Sequence, residues 1–141
     1  CYDPIIFTHQ TAQWIKGMPK DFHIAYPDTL ANYRRWSAAF SKEYIGSLLH
    51  EGLTDVETSF FEANLSAAIS AAEKYDVPLY CSEYGVIHQA DLESTLHWYQ
   101  TISAVFEKHH IGRAAWTYKE MDFGLTDAEA FPVMQKVLPL L

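Results

Sequence analysis

Val77-Pro78-Leu79-Tyr80-Cys81-Ser82-Glu83-Tyr84-Gly85-Val86 is a short apolar run that ends on a carboxylate, an aromatic ring and a glycine. It reads as a buried parallel strand, because non-alternating apolar runs fit strands covered on both faces. A carboxylate stripped of water is costly unless it is paired or partly solvated, so a strand rarely ends on Glu without cause. The C-terminal ends of such strands are where α/β barrels and open α/β sheets place their chemistry. The plainer alternative is a Glu83 that caps a loop or pairs with a nearby Arg.

Two other segments share this pattern. Pro4-Ile5-Ile6-Phe7-Thr8-His9-Gln10 precedes it and Arg113-Ala114-Ala115-Trp116-Thr117-Tyr118-Lys119 follows, each apolar at first and then polar or aromatic. Helices are expected between them. Ser59-Phe60-Phe61-Glu62 has capping-box spacing and is expected to open a helix carrying Phe61, Leu65, Ala68, Ile69, Ala72 and Tyr75 on one face. Pro78 disfavours helical geometry at Val77, so that helix should end near Asp76. A second helix is expected from about Leu92 to His110, with Asp91 as N-cap and Gly112 as terminator. Glu83 and Trp116 are 33 positions apart, which suits one βαβ unit. In the longer first connection, Gly17 to Pro27 reads as loop and Asp28 to Leu49 as a helix. A last helix is expected near the C-terminus, with Thr126 and Glu129 at capping-box spacing.

Composition excludes several classes. At 49% hydrophobic and 15% aromatic residues, the 141-residue chain must bury a core. A net charge of −8 argues against nucleic acid or an anionic membrane as partner, since both attract Lys and Arg. No apolar run approaches the roughly 18 residues of a membrane span. Cys1 and Cys81 give no disulfide framework, and Cys81 reads as a buried thiol within the strand. Seven histidines invite a metal, but His109-His110 is the only adjacent pair and its rings would leave different helix faces. No metal and no cofactor are expected. The chain starts at Cys1 almost directly in a strand-like run and reads as a piece of something longer; any export signal, and with it the compartment, is not legible.

Three parallel strands with two bare edges make a poor free-standing sheet. The class is α/β, and two arrangements fit: a small doubly wound domain, or the last three βα units of a TIM (β/α)8 barrel of about 250 residues. His9-Gln10, Glu83-Tyr84-Gly85 and Trp116-Thr117-Tyr118, together with Tyr26-Pro27, resemble glycoside hydrolase family 5, the cellulase-like group, from about residue 2 to about residue 125. The resemblance implies strands 6 to 8 of the barrel, a fragment whose partner is the remainder of that barrel. It also implies an oligosaccharide or polysaccharide substrate, a β-glucan or a related polymer, hydrolysed with retention. By the same resemblance Glu83 is the nucleophile, His9 supports it, and Trp116 floors the subsite of the sugar under attack. A flat indole suits the CH face of a pyranose. Trp14 is a candidate for a neighbouring subsite, and Tyr84 and His88 for further substrate contacts.

Two departures stand out. Many members carry Tyr two residues after the His, where this chain has Thr11; the orienting phenol would then come from elsewhere, with Tyr84 the candidate. The family's acid/base is a Glu in an Asn-Glu pair, and no Asn-Glu occurs in these 141 residues. Glu120 and Asp122 read as solvated loop carboxylates, not as its replacement. The isolated chain is therefore expected to be inactive. The rival is a non-catalytic carbohydrate-binding or interaction module with a structural Glu83; a third possibility is a related glycosidase barrel with another substrate.

Overall fold

The computed structural model describes the backbone of residues 1–141 and every side chain except those of Phe131 and Met134. Its centre is a parallel pair of strands, β1 (Tyr80–Tyr84) and β2 (Gly112–Ala115), joined through helix α4 (Leu92–Lys108). Tyr80 pairs with Gly112, Cys81 with Arg113 and Tyr84 with Ala115, with an irregularity between the last two pairs.

α4 forms as its sequence predicts. The Asp91 carboxylate accepts the Ser94 N–H at 2.9 Å, satisfying one of the free donors of the first turn. Trp98, Tyr99, Ile102, Val105 and Phe106 share its fully buried side. The helix stops at Lys108, and the left-handed residue beyond it is His110 (φ 53°), not Gly112, which already begins β2. Before β1 runs α3 (Thr58–Tyr75), which ends, as expected, on a left-handed Asp76. Its start differs from expectation. Glu57 precedes the helix without a side-chain cap, and Glu62 is engaged by Lys108 and His109 at 2.5 and 3.0 Å instead of reaching back to Ser59. Glu57 meets His97 and Thr101 while Glu62 meets Lys108 and His109, so α3 and α4 run in the same direction.

The Pro4–Gln10 segment is not a strand. Ile5–Thr8 forms a one-turn helix, α1, in which the Phe7 and Thr8 N–H groups donate to Pro4 O at 2.9 and 3.1 Å. A run of four apolar residues is too short for its period to separate strand from helix. The chain that lies beside the end of β1 is instead Cys1–Tyr2, with the Cys1 nitrogen on Glu83 O. Trp98 Nε1 holds the following residue through Asp3 O at 2.8 Å. The long excursion after α1 packs inward on Ala12, Ile15, Met18, Phe22, Ile24 and Tyr26. Buried Gln10 spans it, accepting the Ile24 N–H at 3.0 Å. The expected helix over 28–49 divides into α2 (Leu30–Phe40, capped by Thr29) and a 3-10 helix, Lys42–Leu48. The third expected strand is shorter than its apolar run, since the chain leaves the sheet after Ala115. Thr126 caps no helix: its hydroxyl donates to Tyr118 O, and α5 spans Phe131–Val137. No helix among the described residues is long and apolar enough to cross a membrane.

Candidate active site

Successive side chains of a strand point to opposite faces, and this sorts the Glu83-Tyr84 pair. Tyr84 is fully buried against Trp98, Tyr99 and Phe106, with ring centroids 6.3, 5.8 and 5.2 Å away. It therefore faces the core, and not the cleft in which a substrate contact is expected from the sequence. Glu83 turns the other way, into an open cleft of about 400 Å³. Gly85 lets the turn close: a Cβ there would lie 2.4 Å from Trp116 O, while the Trp116 N–H donates to Tyr84 O at 2.8 Å. The glycine is needed for close approach of two backbones, not for a left-handed conformation.

Four of the sequence-predicted residues, Glu83, His9, Trp116 and Trp14, line this one cleft, with Tyr2, Met121, Asp122 and Phe123 completing it. Trp14 is 56% exposed, a free indole face beside His9, whose ring lies 6.2 Å from it edge-on. His88 is not in the cleft. Its Nε2 donates to Gly124 O at 3.0 Å, its backbone N–H donates to Asp122 O at 2.9 Å, and its ring lines a separate apolar cavity of about 120 Å³ beneath α5. The expectation of a substrate contact from His88 is replaced by a clamp on the loop that follows Trp116.

The phenol sought from Tyr84 comes from Tyr2. Its hydroxyl donates to Glu83 Oε2 at 3.2 Å. Burial, reinforced by the Glu83 carboxylate, pushes the Tyr2 pKa well above its ordinary value, so the phenol keeps its proton and donates it to the Glu83 carboxylate. The Tyr2 ring packs edge-on against His9 (5.0 Å) and Phe123 (5.9 Å), which fixes the direction of the hydroxyl. A strand ending at His9, as the sequence suggests, would leave Tyr2 at its far end from the cleft. The local signal is Pro4, which favours an extended residue before it and is tolerated in the first turn of a helix after it.

His9 does not touch Glu83 by hydrogen bond. Its Nδ1 meets Thr8 Oγ1 at 3.0 Å. Burial pushes its pKa down to about 4, so the ring is neutral at ordinary pH. Cys81 is half-buried rather than buried, with Sγ 3.2 Å from Glu83 O. Glu120 and Asp122 are exposed loop residues, although Asp122 does reach the cleft wall. Among the described residues no three His, Cys, Asp or Glu side chains gather as a metal site.

No family model matches the chain. It is 31% identical to endoglucanase C of Acetivibrio thermocellus over 141 residues, covering 99% of this chain and 40% of that protein. Cellodextrinase A of Ruminococcus flavefaciens is 38% identical over 115 residues, 80% of this chain and 26% of that one. Among solved structures, endoglucanase Cel5A of Thermotoga maritima superposes over the whole chain and 37% of its own, with a TM-score of 0.64 at 23% identity. In sequence the chain is similar to part of these cellulase-like glycoside hydrolases, and in fold to part of Cel5A. Its fold is accordingly part of a (β/α)8 barrel, in which β1 and β2 are neighbouring barrel strands and the Glu83 cleft opens at their C-terminal ends. The chain spans about two-fifths of endoglucanase C and about a quarter of cellodextrinase A.

Proposed function

We propose that this chain supplies the nucleophile half of a retaining β-glycosidase acting on a β-glucan or related polysaccharide. The observation that carries the reading is a strand-end carboxylate, Glu83, that accepts a hydrogen bond from the Tyr2 phenol in a cleft that also holds the Trp116 and Trp14 indoles. In the proposed reaction Glu83 attacks the anomeric carbon while an acid outside residues 1–141 protonates the leaving oxygen. Water, activated by the same outside group, then cleaves the glycosyl ester with a second inversion. The donor on Oε2 holds the carboxylate in one rotamer and leaves Oε1 to attack. Trp116 supports the ring under attack and Trp14 the next sugar along.

The names of the relatives support this substrate class: endoglucanase C and cellodextrinase A are polysaccharide-directed by name, and Cel5A has been crystallised with cellobiose and with mannotriose. The test is trapping with a 2-fluoro glycoside of the full-length enzyme. A single glycosyl adduct is expected on the peptide containing Glu83, and an adduct elsewhere overturns the assignment.

A further inference from the structure

Thr8 carries a hydroxyl that the proposed reaction does not use. It is fully buried, one residue from a cleft histidine, and its two contacts together restrict where protons can sit. Its Oγ1 lies on the carbonyl oxygen of Tyr2 and also 3.0 Å from His9 Nδ1. A carbonyl has no proton to give, so the first contact is a hydrogen bond only if the Thr8 hydroxyl donates. That uses the single hydroxyl proton. The contact with Nδ1 must then run the other way, with Nδ1–H donating to a lone pair of Oγ1.

We infer that Thr8 is a positioning residue that locks His9 in the Nδ1–H tautomer, so that a bare Nε2 faces the cleft as the acceptor for a substrate hydroxyl. This rests on the sugar-cleft reading above and deepens it: His9 becomes a selector for a hydroxyl donor at one sugar position, and not a proton carrier. Three further observations agree. The backbone holds Thr8 in place, the Ile87 N–H donating to its carbonyl at 3.0 Å. No described residue hydrogen-bonds His9 Nε2, and the ring stands in the cleft wall between Tyr2, Trp14 and Phe123. The ring is also neutral, as burial requires, so only one of its nitrogens carries a proton.

The experiment is a long-range proton–nitrogen spectrum of the full-length enzyme with 15N-labelled histidine, the His9 signals being identified by their loss in His9→Gln. The wild type is expected to show a protonated Nδ1 and an unprotonated Nε2. Thr8→Val, which removes the acceptor, is expected to move the proton toward Nε2 and to raise KM about tenfold with kcat little changed, the effect of one lost hydrogen bond. Thr8→Ser should restore both. A wild-type ring protonated on Nε2 overturns the proposal whether or not Thr8→Val folds. So does a Thr8→Val enzyme with unchanged tautomer and unchanged KM. Fluoro-glycoside trapping at Glu83 is run beside it: loss of labelling in the wild type would sink the glycosidase reading while the tautomer is still read directly.

Discussion

At the residue scale, the cleft chemistry depends on a few protons being held in place. Tyr2 gives Glu83 its only described side-chain donor. Tyr2→Phe keeps the ring and its packing on His9 and Phe123 and removes the hydroxyl alone. A hydrogen bond to a charged group is worth about 1.5–3 kcal/mol, so kcat/KM of the full-length enzyme should fall about 10- to 100-fold. Steady-state kinetics on a cello-oligosaccharide decide it, and a change of less than twofold would remove Tyr2 from the proposed mechanism. His9 gives a pH signature. Its pKa lies near 4 in the fold against an ordinary 6.5, so between these values the unfolded chain binds a proton that the native ring refuses. Stability therefore falls as pH drops from about 6.5 to about 4, by about 1–3 kcal/mol for a partly exposed ring, and levels off below. Denaturant midpoints of wild type and His9→Gln compared across that range should converge toward the acid end.

At the element scale, local signals and long-range contacts differ in how well the sequence shows them. β1 and α4 were legible because their markers are local: Pro78 breaking the helix before the strand, and Asp91 capping the helix after it. The Glu-Tyr-Gly end of β1 was legible for the same reason. Pro4–Gln10 was misread as a strand because four apolar residues carry no usable period, and Ser59/Glu62 because Glu62 spends its carboxylate on Lys108 and His109 across the helix pair. Pro4 marks only the extended backbone at Tyr2; the role of its hydroxyl is not legible, because the carboxylate it meets is 81 positions away. Strand alternation sends Tyr84 to the core once Glu83 faces the cleft. The junction between the two strands is where a single atom should do most harm. In Gly85→Ala the new Cβ meets Trp116 O at 2.4 Å, a backbone atom that cannot move aside cheaply. Overpacking of this kind costs about 1–3 kcal/mol, and here it also displaces the Trp116 shelf. The variant should lose stability in urea titration and substrate affinity together, whereas Gly46→Ala, with open space around it, should lose neither.

At the scale of the whole molecule, the balance of buried and bare surface bears on how the chain works. The side toward α4 holds a dense aromatic core built on Trp98, Tyr84, Phe61 and Phe106. The approach to β1 is bare instead: Tyr75, Val77 and Tyr80 are 66%, 53% and 66% exposed. Parallel strands in α/β folds are covered on both faces, so these apolar groups are expected to be covered by the rest of a barrel of the relatives' length. The chemistry has the same asymmetry. A retaining pair needs a second carboxyl about 5–5.5 Å from the first, and the cleft offers only Asp122, on an exposed loop whose carbonyl is held by His88. Purified residues 1–141 are therefore expected to show no turnover of an aryl cellobioside, while the full-length protein turns it over and Glu83→Gln abolishes that activity. Turnover by residues 1–141 alone would point to Asp122 as a local acid. Its loss in Asp122→Asn would then move the whole reaction onto this single chain.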